Sequence, residues 1–128
     1  MLSKYDATVT LAAHDMAKSW AFYTNTLGFT EDEVDEEGLS VLSSGNTKLN
    51  LYPSGSANVN GGTVCTWWIG KEFDEVIATL SKKEVMFEHY DGMPGVEREG
   101  DVHILTNIQR KVVWFKDASG NILSIAST

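Results

Sequence analysis

A chain of 128 residues with 42% hydrophobic side chains is the size of one domain, able to bury roughly two thirds of its unfolded surface without staples. Its formal net charge of −8 argues against nucleic acid, whose phosphates draw affinity from clustered Lys and Arg, and an acidic surface attracts cations instead. The single cysteine, Cys65, allows neither an intrachain disulfide nor a cysteine zinc cluster, and no stretch approaches the roughly 20 apolar residues of a membrane span. The N-terminal residues carry no secretory pattern, so the expected location is cytoplasmic.

The β-branched run Ala7 to Leu11 predicts a strand. Asp15 then stands as the N-cap of a helix with Met16, Trp20, Tyr23 and Leu27 on one face, closed by Gly28. Phe29 to Val34, Leu39 to Ser43 and Thr47 to Tyr52 follow as three short strands separated by Glu-Glu-Gly and Ser-Gly-Asn turns. The acidic run Glu31-Asp32-Glu33 with Asp35-Glu36-Glu37 reads as a solvated hairpin. After a linker-like stretch rich in Ser, Gly and Asn the pattern begins again. Thr63 to Ile69 is a strand; Phe73, Val76, Ile77 and Leu80 share a helix face, with Lys82 and Lys83 at its negative end; Val85 to Tyr90 is a strand. A long loop is expected from Asp91 to about Gln109, and Lys111 to Phe115 and Asn121 to Ala126 form a hairpin over Asp117-Ala118-Ser119-Gly120. The expected fold is therefore α+β: a single domain of two β-α-β-β-β modules, residues 5–53 and 62–128, each burying one sheet face.

Two segments, Asp15-Met16-Ala17-Lys18-Ser19-Trp20-Ala21-Phe22-Tyr23 with Leu27-Gly28-Phe29, and Trp114-Phe115-Lys116-Asp117-Ala118-Ser119-Gly120-Asn121-Ile122-Leu123, resemble the two motifs of the glyoxalase/bleomycin-resistance/dioxygenase, or vicinal oxygen chelate, superfamily. With the internal repeat, the resemblance covers nearly the whole chain. The stretch Phe87-Glu88-His89-Tyr90-Asp91 with the Trp114 ending is similar to a functionally unassigned branch of that superfamily. The resemblance implies two modules curled into a cup-shaped mixed sheet, paired within or across the chains of a homodimer. In the enzymes it also implies a divalent metal held by one residue from the first and one from the last strand of each module. Those positions map to Thr8, Asn50, Thr63 and Ser124. Three hydroxyls and a neutral amide supply no imidazole nitrogen or carboxylate to replace a cation's hydration, and their immediate neighbours are apolar, so no metal or other cofactor is expected.

Strict strand alternation puts Thr10, Tyr52, Cys65, Trp67, Ile122 and Ala126 on the same faces as those four residues, and the resemblance adds Trp114. Tyr52, Cys65, Trp67, Trp114 and His103 thus join Thr8, Asn50, Thr63 and Ser124 as candidate ligand contacts. This aromatic and small-polar lining suits a small aromatic ligand, and the acidic charge favours a cationic one. His103 lies in the long loop, which could cover the cup; with Tyr90 it is the candidate acid-base group. His14, beside the helix cap, and His89, at a strand end, are weaker candidates. The leading expectation is a metal-independent small-molecule binding protein, analogous to drug sequestration. The alternative is an enzyme of the same superfamily, a lyase, isomerase or dioxygenase; a third reading is an interaction module whose dimer is the product.

Overall fold

The computed structural model describes residues 1–34, 38–57 and 61–128. The expected acidic turn at 35–37 and the linker at 58–60 lie outside the described residues. Two compact units emerge. Unit 1 holds Met1–Asn60 with Ala118–Asn121, and unit 2 holds Gly61–Asp117 with Ile122–Thr128. No helix among the described residues is long and apolar enough to cross a membrane.

Unit 1 contains β1 (Val9–Ala13), α1 (Met16–Ala21), β2 (Thr30–Val34), β3 (Ser40–Ser44) and β4 (Thr47–Pro53), with its sheet in the order β1-β4-β3-β2. β1 runs parallel to β4, and the other pairs are antiparallel. Asp15 caps α1 by accepting from the Lys18 backbone N–H at 3.1 Å. Beyond Ala21 the helix widens into a π turn, Phe22–Thr26, and Gly28 leaves it at φ +82°, a conformation open to glycine without a Cβ penalty. Leu11, Ala13, Leu49 and Leu51 are buried on one face of the β1–β4 pair, with Leu42 of β3 and Tyr23 of the π turn. The Ala118–Asn121 turn completes this unit. Asn121 Nδ2 donates to the Ala12 carbonyl at 2.8 Å, Ser119 Oγ lies 3.0 Å from Ser19 Oγ, and the His14 backbone N–H donates to Ser119 Oγ at 3.0 Å. The two family motifs therefore meet as scaffold, with hydroxyl against hydroxyl.

Unit 2 contains β5 (Thr63–Ile69), α2 (Phe73–Lys82), β6 (Phe87–Glu88), β7 (Val96–Glu99), β8 (Val102–Leu105), β9 (Arg110–Lys116) and β10 (Ile122–Ser127). Its sheet runs β5-β10-β9-β8-β7, with β6 also on β9, and β5 lies parallel to β10. Lys111, on the Val113 and Phe115 face of β9, bonds Asp74 at 3.2 Å and stands over the Phe73 ring, so α2 covers that face. Val113, Phe115, Leu123 and Ile125 are buried there.

Two features depart from the sequence reading. The expected loop after Asp91 contains a β-hairpin, β7–β8, turning at Gly100 with φ +60°. The expected strand from Val85 shrinks to Phe87–Glu88, because β6 and β8 share one edge of β9: Phe87 and Glu88 pair with Phe115 and Trp114, while His103 to Leu105 pair with Val112 to Arg110. The α+β fold of two modules stands as expected, with one mixed sheet in each unit.

Candidate functional site

The face of the unit 2 sheet opposite α2 is set by register. Trp114 is paired with Ser124, and Ser124 with Thr66; one row on, His103 pairs with Val112, Val112 with Ala126 and Ala126 with Trp68. Between Ile122 and Leu123 the β5 pairing slips: Ile122 faces Thr63, but Leu123 faces Cys65. An extra residue reverses every side chain beyond it. Cys65 and Trp67 are thereby moved from the expected ligand face to the α2 face, where Trp67 stacks on Phe115 with ring centroids 6.5 Å apart. Burial also holds the Cys65 thiol above its ordinary pKa, the opposite of an activated nucleophile. Thr66 takes the place that alternation gave to Cys65.

Thr63, Tyr90 and Trp114 do come together. With Gly61, Gly62 and Ile122 they line an open pocket of about 260 Å³ in unit 2. Trp114 Nε1 donates to Thr63 Oγ1 at 3.1 Å, which fixes the indole plane and occupies an oxygen lone pair while leaving the hydroxyl proton to donate elsewhere. Tyr90 stands edge-on to Trp114 at 5.4 Å, and His103 edge-on from behind at 4.8 Å. Burial first, then the Glu88 carboxylate, raise the Tyr90 phenol above its usual pKa against the opposing charge of Lys116, so Tyr90 is a hydrogen-bond donor at neutral pH. Glu88 and Lys116 form an ion pair at 3.1 Å. The Gly61-Gly62 pair reads in sequence as linker; before a strand it also marks where a ligand can approach backbone closely.

His103 is fully buried. Its Nε2 accepts the Tyr90 backbone N–H at 2.9 Å, so the neutral ring carries its proton on Nδ1. Nδ1 has no hydrogen-bond partner; the Val112 backbone favours the protonated ring without reaching bonding geometry. Burial holds the imidazole below its ordinary pKa, helped by the Arg98 and His89 charges and opposed by Val112 and Asp91. With its one lone pair committed to a backbone amide, His103 positions Tyr90 and backs Trp114; it offers no base to a substrate in this arrangement. His89 instead bonds Asp101 at 2.8 Å, and the exposed His14 enters only through its backbone.

The remaining candidates, Thr8, Asn50 and Tyr52, belong to unit 1. Asn50 pairs with Thr10, to which its Nδ2 donates at 3.4 Å, and Tyr52 pairs with Ala12. By register, the first and last strands oppose Thr10 to Asn50 in unit 1 and Thr66 to Ser124 in unit 2, while Thr63 opposes Ile122 and Thr8 precedes β1. Whichever threonine is taken, the chemistry is the same. The Thr66 and Ser124 hydroxyls bond each other at 2.6 Å, and Ser124 is only 4% exposed. A divalent ion would meet neutral oxygens already engaged, so these residues do not fit a resident metal. Among the described residues no three His, Cys, Asp or Glu side chains converge as a metal cluster.

The family model for the Glyoxalase/Bleomycin resistance protein/Dioxygenase superfamily matches residues 7–125, and the chain belongs to that superfamily. Solved structures agree on the fold. An integron cassette protein from the mobile metagenome of the Halifax Harbour sewage outfall superposes with TM-score 0.70 at 20% identity, over 98% of this chain and 99% of its own. A lactoylglutathione lyase from Agrobacterium tumefaciens gives 0.69 at 20%, over 96% and 92%. A glyoxalase/bleomycin resistance protein/dioxygenase from Alicyclobacillus acidocaldarius gives 0.70 at 16%, over 99% and 94%. A search among curated proteins returned no match.

Proposed function

We propose that this protein binds a small planar molecule, cationic or neutral, in the Trp114–Tyr90–Thr63 pocket without a metal ion. The observation that carries the reading is the pocket: an indole held by its own hydrogen bond, flanked by a protonated phenol and a hydroxyl, in about 260 Å³. A Trp face offers roughly 0.5 to 2 kcal/mol to a cation, and the net charge of −8 draws cations toward the protein. The nearest functional analogy is sequestration of a cationic drug, and in this reading the protein acts as a cytoplasmic homodimer; sedimentation finding only monomer at micromolar concentration would remove the dimer.

The test is thermal unfolding with N-methylquinolinium, quinoline and 1-naphthoate, which share a bicyclic plane and differ in charge. At 100 times its dissociation constant a ligand adds about 2.7 kcal/mol, a rise on the order of 5 to 15 °C. The cation should give the largest rise and the anion the smallest; no rise with any of the three would defeat the reading. The enzyme alternative keeps Tyr90 as a proton donor. It gains ground if chelator-treated protein is stabilised selectively by nickel, zinc, manganese, iron(II) or cobalt, since a metal site would then exist that these residues do not supply.

A further inference from the structure

Residues 89, 90 and 91 are each tied to the β7–β8 hairpin by a different bond. His89 Nε2 meets Asp101 Oδ1 at 2.8 Å, the Tyr90 N–H donates to His103 Nε2 at 2.9 Å, and Arg98 Nε and Nη2 donate to the two Asp91 carboxylate oxygens at 2.8 and 3.1 Å. Arg98 also donates from Nη1 to the Gly100 carbonyl at 2.7 Å, bracing the hairpin's own turn. Four bonds over three successive residues hold one side of the pocket to a hairpin that contributes none of its lining. The central bond differs from its neighbours. Its acceptor is a buried imidazole nitrogen, which accepts only while unprotonated, whereas the flanking bonds are charge-assisted and tolerate a proton on histidine.

We infer that the β7–β8 hairpin is a clasp on the Tyr90 side of the pocket, closed while His103 is neutral and released when His103 takes up a proton. The inference rests on the reading of that pocket as the ligand site. A proton on Nε2 would set two donors, N–H against N–H, face to face in a buried site, and the ring or the Tyr90 backbone must then move. Because His103 also backs Trp114, release disturbs two of the pocket's three polar or aromatic contacts together. The groups facing His103 are Arg98 from β7 and His89, Tyr90 and Asp91 from the segment after β6, with Asp101 before β8 bonded to His89; on β9 it meets Val112 and Trp114, which do not titrate. His89 is a second histidine bonded to the hairpin, so His89→Asn isolates the His103 contribution.

The linkage has a definite sign. A histidine whose folded pKa is lowered leaves the native state with fewer bound protons than the unfolded chain. Its contribution to stability is whole above the unfolded value of 6.5 and is lost as pH falls through the lower folded value. The clasp should open over the same window.

The experiment is ring-nitrogen NMR of the histidines together with the Tyr90 amide protection factor, on the full chain without ligand, between about pH 4 and 8. At neutral pH His103 should show an unprotonated Nε2, and Tyr90 protection should fall with the midpoint of the His103 titration. His103→Gln, whose side-chain carbonyl can accept the same N–H, should remove the pH dependence; His103→Leu should leave Tyr90 poorly protected at every pH. A protonated Nε2 at neutral pH, or Tyr90 protection unchanged through the His103 titration, overturns the clasp in wild-type protein whatever the variants do. With N-methylquinolinium as probe, affinity should drop about tenfold or more over the same window. If the amide releases but affinity stays constant, the clasp does not regulate the pocket. If the amide releases and the probe binds at no pH, the clasp stands and the pocket reading fails.

Discussion

The two units repeat one topology and end in different chemistry. In both, the first strand lies parallel to the last, and each such pair carries a small polar couple, Thr10–Asn50 in unit 1 and Thr66–Ser124 in unit 2. They part at the fourth strand position. Unit 1 fills it with β2, whose Glu31 accepts from Trp20 Nε1 and Ser40 Oγ, both at 2.6 Å, and whose Asp32 pairs with Lys48. Unit 2 divides that position between β6 and β8, and the chain joining the two supplies Tyr90 and a hairpin to hold it. The same strand position is thus filled by one strand in unit 1 and by two in unit 2, with the segment between those two reaching the pocket.

If the units differ in site and not in core, substitutions in their cores should cost alike. Phe115→Ala in unit 2 and Leu42→Ala in unit 1 each empty a buried position. Urea denaturation should show about 3 to 5 kcal/mol lost for the first and about 2 to 5 for the second. A loss under 1 kcal/mol in either would mean that unit lacks the packed core assigned to it. The next effect separates the faces. Trp114→Ala should weaken N-methylquinolinium binding about tenfold in a fluorescence or calorimetric titration, while Tyr52→Ala in unit 1 leaves it unchanged. Equal losses from both would erase the distinction. Asp15→Ala removes the cap of α1 in unit 1 and should cost about 1 kcal/mol of stability, with probe affinity unmoved.

What the sequence made legible was whatever has a local cause. Asp15 before an apolar helix, Gly28 after it and the Asp117–Gly120 turn each act within a few residues, and each stands where expected. Thr63, Tyr90 and Trp114 were also within reach, the first and third through the family resemblance and Tyr90 as a candidate acid-base group. The bulge at the start of β5 was not, because no residue in Thr63-Val64-Cys65 distinguishes a slipped register from a regular one; Cys65 and Trp67 were therefore placed on the wrong face. The β7–β8 hairpin hid for another reason. Val96-Glu97-Arg98-Glu99 is short and charged, flanked by Pro94, Gly95 and Gly100, so nothing in its pattern announces a strand; it pairs with β8, which is held in turn by β9. His103 looked like a free acid-base group because sequence cannot show that a backbone amide has claimed its lone pair.

The smallest effect sharpens the comparison from the backbone side. In unit 1 the described residues with positive φ are all glycines, whereas unit 2 also places Glu84 at φ +65° and Gln109 at φ +54°. Glu84 follows the last turn of α2, where the Val85 N–H donates to the Leu80 carbonyl at 3.1 Å and the Glu84 N–H to Ser81 at 3.0 Å, a closing turn that glycine normally occupies. An L side chain there costs roughly 1 to 2 kcal/mol, part of which glycine gives back through its greater unfolded-state entropy. Glu84→Gly should therefore stabilise the protein by about 0.5 to 1 kcal/mol in urea denaturation, with probe affinity and the Tyr90 protection profile unchanged. A gain in stability bought with altered affinity would mean that the end of α2 is coupled to the Tyr90 segment through β6, and that the strain at Glu84 is part of how unit 2 holds its site.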